Sequence, residues 1–163
     1  MKKLFIAAFM FVSTFTSNVF ADGHAIKMGI ILGFTGPIES LTPAMAASAE
    51  LAFKEASDSG SLLGGKKIEV IKADSTCVDS AAATAAAEGV IAQGVAAIMG
   101  ADCSGVTGAI ASNVAVPNGV VMISPSATSP GLTTLDDKGY FFCLLYTSPS
   151  PRDLSTSRMP SSA

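Results

Sequence analysis

Short apolar runs alternate along the chain with longer segments in which apolar residues recur every three or four positions. A run without polar interruptions is typical of a parallel strand that is covered on both faces. Such runs predict four strands and the beginning of a fifth, at 26–32, 67–72, 95–99, 120–123 and 140–142.

The segments between these runs predict three helices. The first begins at Thr42, whose hydroxyl is expected to cap it, with Pro43 at the first helical position. Asp79 caps a second helix that extends to Gln93, and a third ends before Pro117. Recurring apolar residues predict the buried faces of the first and third helices: Met45, Ala49, Ala52, Phe53 and Ala56, then Val106, Ile110 and Val114.

Strands that alternate with helices at this spacing form βαβ units, which close with right-handed crossovers onto a parallel sheet. The expected fold class is therefore α/β, an incomplete doubly wound parallel sheet with strand order 2-1-3-4. In such a sheet, ligands bind beyond the carboxyl ends of the strands where the order reverses. The loops expected to meet there follow strands 1, 3 and 4, at residues 33–41, 100–105 and 124–130.

The loop after the fourth strand carries hydroxyl side chains between two prolines. Ser126 and Thr128 offer hydroxyl and backbone groups to a ligand, while Pro125 and Pro130 limit the conformations that binding would have to freeze. The same residues also make ordinary turns, so for the loop alone both interpretations stay open. The convergence of the other loops on the same edge favours a binding site.

Residues 1–21 have the organisation of a signal peptide. Lys2 and Lys3 precede an apolar run from residue 4 to residue 12, which is too short to span a bilayer, and small residues lead to Ala21. We predict export and cleavage before Asp22. A membrane anchor is the weaker alternative, and the absence of a Cys after the cleavage position argues against lipid attachment there.

Residues 143–163 differ in composition from everything before them, with clustered Ser, Pro and Arg and no apolar periodicity. The segment resembles the in-frame translation of a sequencing-library adapter, with an index at 154–156. The alternative is a natural disordered tail. We therefore predict a non-native disordered tail from Cys143 onward that packs against nothing and carries no function.

Residues 22–142 contain six Lys against twelve Asp and Glu, a net charge of −6. A nucleic-acid partner would need clustered Lys and Arg, so none is predicted. With no further long apolar segment, the exported product is expected to be soluble.

The sequence argues against an enzyme. Residues 33–36 lack the spacing of a dinucleotide-binding loop, and Ser104 has Asp102 two positions before it instead of the Gly of a nucleophile elbow. The only histidine, His24, lies before the first strand, which leaves no positioned base for a nucleophile. We predict no catalytic residue, no cofactor and no metal site, since the chain has no CxxC pair or second ligand cluster.

Two cysteines precede the predicted tail, and each follows a predicted strand. In an exported protein, Cys77 and Cys103 are expected to form a disulfide. Two buried thiols are the alternative.

Four segments together resemble a known family: residues 33–37, 74–77, 103–104 and 124–128. Their order is similar to the first lobe of the leucine/isoleucine/valine-binding proteins, which are type I periplasmic solute-binding proteins of ATP-binding-cassette importers. The resemblance covers about residues 26–142, so residues 22–142 are expected to be an N-terminal lobe. Its most specific part is the cysteine pair followed by the Ser/Thr loop.

The resemblance implies roles for particular residues. In the family, the serine after the second cysteine and an Ala-Ala-Thr loop hold the ligand's α-carboxylate and part of its ammonium group, which corresponds to Ser104 and to Ser126, Ala127 and Thr128. Leu41 stands about where the family commonly places a pocket aromatic. Ser126 stands where Ala is usual, so its backbone carbonyl is the expected contact.

The function that follows is the periplasmic binding of branched-chain or related amino acids, or small amides, for an ABC importer. The expected partners are a small-molecule ligand and an inner-membrane ABC permease, and the protein is expected to be a monomer. In the family a second lobe supplies the acidic partner of the ammonium group. The alternative is a ligand-binding lobe of a sensor or regulator that feeds no transporter, and an enzyme ranks third.

Overall fold

A computed structural model gives the structure of the chain and describes residues 25–147. The predicted signal peptide and residues 148–163 of the predicted tail lie outside the described residues. Five parallel strands form one sheet in the order β2-β1-β3-β4-β5, which confirms the predicted order 2-1-3-4 and adds the fifth strand at the edge. The strands are β1 (Ile26–Leu32), β2 (Ile68–Asp74), β3 (Ala97–Gly100), β4 (Val121–Ser124) and β5 (Phe141–Cys143).

The helices cover the two faces of the sheet unequally. They are α1 (Thr42–Asp58), α2 (Ser80–Ala92), α3 (Ser104–Ile110), which continues as a π-helical turn (Ala111–Ala115), and α4 (Leu144–Thr147). Helices α2 and α3 pack together over one face, whereas α1 packs on the other face against β1 and β2. Within residues 25–147, no helix combines the length and the apolar character needed to cross a membrane.

Alternation along the strands divides the core into two layers. Ile31, Ile98 and Met122 face α2 and α3, while Ile30 and Leu32 face α1. All five side chains are almost wholly buried, which explains why the strands read as continuous apolar runs.

Two details of α1 differ from the sequence-based expectation. The Thr42 hydroxyl does not cap the helix: it donates to the Gly33 carbonyl, 3.1 Å away, and Leu41 occupies the capping position without a side-chain bond. Ala52 is exposed, whereas Met45, Ala49 and Phe53 of the predicted face are partly buried and pack against the core. Thr42 ties the start of the helix to the end of β1.

The expectation that residues from 143 onward contact nothing is wrong for Cys143. This residue ends β5, pairs in register with Ser124, and is 4% exposed. Its thiol donates to the Ala127 carbonyl, 2.9 Å away. The alternation of β5 turns Phe141 and Cys143 to the core, and a small apolar side chain fits there.

Candidate functional site

The carboxyl ends of the parallel strands bring the predicted loops to one edge of the sheet. Ser104 Oγ accepts hydrogen bonds from the backbone amides of Thr128 and Ser129, each at 3.0 Å. The loop after β3 is thereby joined to the loop after β4, as the strand order predicted. Ser104 is half-buried and Thr128 is exposed, so the pair lies at the surface of this edge.

The remaining residues of the β4 loop are placed behind that surface. Ser126 is half-buried, and its hydroxyl donates to the Asp102 carbonyl at 3.0 Å. Ala127 is 0% exposed, its amide donates to Ser124 Oγ at 3.1 Å, and its carbonyl accepts from Cys143. The structure thus brings Ser126 and Ala127 to the site as parts of the loop's scaffold, and ligand contact by either stays a prediction.

Leu41 lies at the start of α1, after the loop that follows β1. Its side chain is 61% exposed. It belongs to the same edge of the sheet as the β3 and β4 loops, because Thr42 beside it is bonded to the end of β1. A ligand contact by Leu41 stays a prediction.

Cys77 and Cys103 form the predicted disulfide, with Cα atoms 5.2 Å apart. The bond joins the loop after β2 to the residue that immediately precedes Ser104. Cys77 has a φ of +69° and Thr76 one of +57°, a backbone conformation that non-glycine residues seldom adopt. The loop after β2 is therefore also fixed at this edge. The sequence-based interpretation had not included that loop among those that meet at the switch point.

Asp74 organises the outer part of the loops after β1 and β2. Its carboxylate accepts from Thr35 Oγ1 at 2.5 Å and from the Thr76 amide at 2.8 Å. Partial burial alone would raise the pKa of Asp74, but these hydrogen bonds outweigh burial and the pKa lies below the ordinary value of an aspartate. Gly36 is required beside this contact: a Cβ there would overlap the Thr76 carbonyl oxygen.

Two polar residues at this edge had no role in the sequence-based interpretation. Asp102 is 4% exposed, and its carboxylate accepts from the Gly33 and Cys103 amides, both at 2.9 Å. Ser124 is wholly buried and its hydroxyl donates to the Ala101 carbonyl at 2.5 Å. The available signal was a polar side chain next to the carboxyl end of a buried strand, where a buried polar group must find a partner.

Residues 25–147 contain no group of three or more His, Cys, Asp or Glu side chains that could hold a metal ion.

The sequence profile of the family described as "periplasmic binding protein" matches residues 25–156. That match covers more than half of the chain. The chain belongs to this family. The same profile extends past Cys143 into the segment that resembles adapter sequence.

Curated members of the family resemble the chain along part of their length. A Leu/Ile/Val-binding protein homolog of Brucella melitensis is 30% identical over 133 residues, which cover 82% of this chain and 34% of the relative. The Pseudomonas aeruginosa leucine-, isoleucine-, valine-, threonine- and alanine-binding protein is 31% identical over 140 residues, covering 86% and 35%. The chain thus spans about a third of the length of these relatives.

Solved structures of the family show the same fold. The branched-chain amino acid transporter substrate binding protein of Streptococcus pneumoniae, in complex with isoleucine, has a TM-score of 0.63 and 35% identity, over 73% of this chain and 33% of that one. An ABC transporter substrate-binding protein of Desulfitobacterium hafniense, in complex with Leu, has a TM-score of 0.59, 32% identity and the same coverage. The sheet is therefore a lobe of the type I periplasmic binding fold, and these relatives are binding proteins, not enzymes.

Proposed function

We propose that this lobe forms half of the ligand site of a periplasmic binding protein that serves an ABC importer for branched-chain or related amino acids. In this proposal Ser104 and Thr128 hold the ligand's α-carboxylate. The names of the relatives support the ligand class and the transporter. The predicted signal peptide supports export to the periplasm, and we propose an ABC permease as the partner and a monomeric state.

The observation that carries the proposal is the hydrogen bonding of Ser104. A serine hydroxyl has one proton to donate and two lone pairs that accept. The amides of Thr128 and Ser129 take both accepting positions. The hydrogen bonds described among residues 25–147 include none in which the Ser104 hydroxyl donates, and we propose that it donates to an acceptor outside the lobe. A ligand carboxylate is such an acceptor, and a charged one makes the stronger bond.

Thr128 supplies the second donor. Its amide is bonded to Ser104 and the residue is exposed, which leaves its hydroxyl accessible to a ligand beside Ser104. Two neighbouring hydroxyl donors match the two oxygens of a carboxylate. The partner of the ammonium group is expected on a second lobe, as the family resemblance implies.

Variants of a full-length, two-lobe protein that carries this lobe would test the proposal by calorimetric titration with leucine. A hydrogen bond to a charged group contributes about 1.5–3 kcal/mol, so Thr128→Val is expected to weaken binding roughly 10- to 150-fold. Ser104→Ala is expected to have nearly the same effect. Ser126→Ala is the matched control and should cost far less, because the expected ligand contact is the Ser126 backbone carbonyl, which alanine keeps.

Leucinamide gives a second control, because it keeps the side chain and ammonium group but has no carboxylate. The unmodified protein should bind it much more weakly than leucine, and this preference for leucine should be smaller in Thr128→Val, which keeps only the Ser104 bond to the carboxylate. If Ser126→Ala proved the most damaging change and Thr128→Val had no effect, the assignment of the carboxylate site would be wrong.

A further inference from the structure

We propose that Asp102 is the positioning residue of this site, and that its buried carboxylate fixes Ser104 in the orientation that faces a ligand. The proposal rests on the proposed function for the identity of the ligand. It concerns the residue through which Ser104 is held, rather than a further contact with the ligand.

The polar atoms of Asp102 reach every loop at the carboxyl edge of β1 to β4. One carboxylate oxygen accepts from the Gly33 amide, after β1, at 2.9 Å. The other accepts from the Cys103 amide at 2.9 Å and from Ser75 Oγ, after β2, at 3.4 Å. The Asp102 carbonyl accepts from Ser126 Oγ, after β4, at 3.0 Å. The loops after β1, β2 and β4 are thus bonded to one residue of the loop after β3.

Burial excludes a direct role for this carboxylate in ligand binding. Asp102 is 4% exposed and Ser75 is 0% exposed, so the group lies behind the surface that Ser104 and Thr128 form. A buried carboxylate is tolerated only where donors satisfy its oxygens. Its three donors are an amide from each of two loops and a buried hydroxyl, and all of them are therefore held in place by the same charge.

The link to Ser104 passes through Cys103. The Cys103 amide is bonded to the Asp102 carboxylate, its side chain is bonded to Cys77, and the next residue is Ser104. The residue before Ser104 is therefore held both through its backbone amide and through its side chain. The Ser126 hydroxyl adds one contact between the β4 loop and the Asp102 carbonyl, whereas Ser104 is held through the Asp102 carboxylate and the Cys103 amide.

Amide hydrogen exchange of the chain, without ligand, tests the positioning directly. In Asp102→Asn an NH₂ group replaces one acceptor oxygen, so the Gly33 or the Cys103 amide loses its partner. We expect faster exchange at that amide and, as the distinguishing result, at Thr128 and Ser129. Those two amides bond to Ser104 rather than to Asp102, so faster exchange there reports displacement of Ser104. The Met122 amide in β4 should keep its protection.

Leucine affinity of the two-lobe protein gives the functional readout. Asp102→Asn is expected to weaken binding about 10-fold, and Asp102→Ala further, because Ala leaves all three donors without an acceptor. Ser75→Ala removes only one donor and provides a milder variant if the Asp102 variants do not fold. The Gly33 and Cys103 amides keep their acceptor in this variant, so the expected result is a smaller acceleration of exchange at Thr128 and Ser129.

Two controls separate positioning from general effects. Asp137→Asn makes the same change of charge in an exposed turn. The Asp137 carboxylate accepts a hydrogen bond from the Gly139 amide at 2.9 Å. Ile110→Val weakens the buried core at the end of α3 opposite to Ser104. Neither should change leucine affinity or exchange at Thr128.

Unchanged exchange at Thr128 and Ser129 in Asp102→Asn would overturn the proposal, as would leucine affinity equal to that of the Ile110→Val control. A failure of the proposed function is distinguishable. In that case the unmodified protein would not bind leucine, while the exchange experiment would still decide whether Asp102 holds Ser104.

Discussion

At the scale of single residues, two carboxylates hold backbone amides at the same edge of the sheet under different conditions. Asp102 is buried, so each bond that it makes replaces hydration that the group has lost, and removing the carboxylate leaves its donors unsatisfied. Asp74 is partly exposed and bonds to Thr35 and Thr76 within reach of water. Asp102 therefore bears on the position of Ser104, whereas Asp74 bears on the pH dependence of stability.

The lowered pKa of Asp74 predicts how stability changes with pH. A carboxylate whose pKa is lower in the folded state stabilises the fold above its unfolded pKa, about pH 4, and loses that contribution as pH falls through the folded value. The difference in free energy of unfolding between the unmodified chain and Asp74→Asn should therefore be largest near pH 7 and shrink below pH 4. Urea denaturation at several pH values measures it.

Thr35→Val is the matched control for this prediction, because it removes the donor to Asp74 and leaves the carboxylate in place. Its own pH dependence should be weaker than that of the unmodified chain. A constant difference between the unmodified chain and Asp74→Asn from pH 7 to pH 3 would contradict the assigned cause of the shift.

At the scale of elements, the positions of the strands and their order in the sheet could be predicted from the sequence. Burial decides the first and chain connectivity the second. The cap of α2 was predictable as well: Asp79 accepts from the Ala81 and Ala82 amides, at 2.9 and 3.0 Å. The role of Thr42 was not, because its hydroxyl had two possible acceptors and only the path of the β1 loop places the Gly33 carbonyl within reach. The partners of Asp102 depend in the same way on loop conformation.

The disulfide predicts a measurable contribution at this scale. Cys77 and Cys103 are 26 residues apart in sequence, and closing such a loop contributes about 3.5 kcal/mol to the free energy of unfolding in the chain-entropy model. The double variant Cys77→Ala/Cys103→Ala should unfold at a correspondingly lower urea concentration than the oxidised chain. Cys143→Ser is the control, since it alters a thiol and keeps the disulfide. An unchanged unfolding midpoint in the double variant would show that the bond contributes nothing.

At the scale of the whole molecule, the sheet is covered on one face by α2 and α3 and only in part on the other. The register pairs Met99 with Ile123 and Ile123 with Phe142 on the face that carries α1. Ile123 and Phe142 are 37% and 48% exposed there, because α1 packs over β1 and β2. The sequence could predict both strands as apolar but not this exposure, since it depends on which strands α1 reaches.

Two truncations would measure what the end of the described chain contributes. Ending the chain after Phe142 removes Cys143, which is buried, bonded to the Ala127 carbonyl and paired with Ser124. This truncation should lower the melting temperature by about 2–4 °C for each kcal/mol of packing energy that is lost. Ending the chain after Thr147 removes only residues 148–163, whose resemblance to adapter sequence predicts no change. Equal melting temperatures for the two truncations would mean that residues 143–147, Cys143 included, add no stability. A loss on removing 148–163 alone would contradict the adapter interpretation.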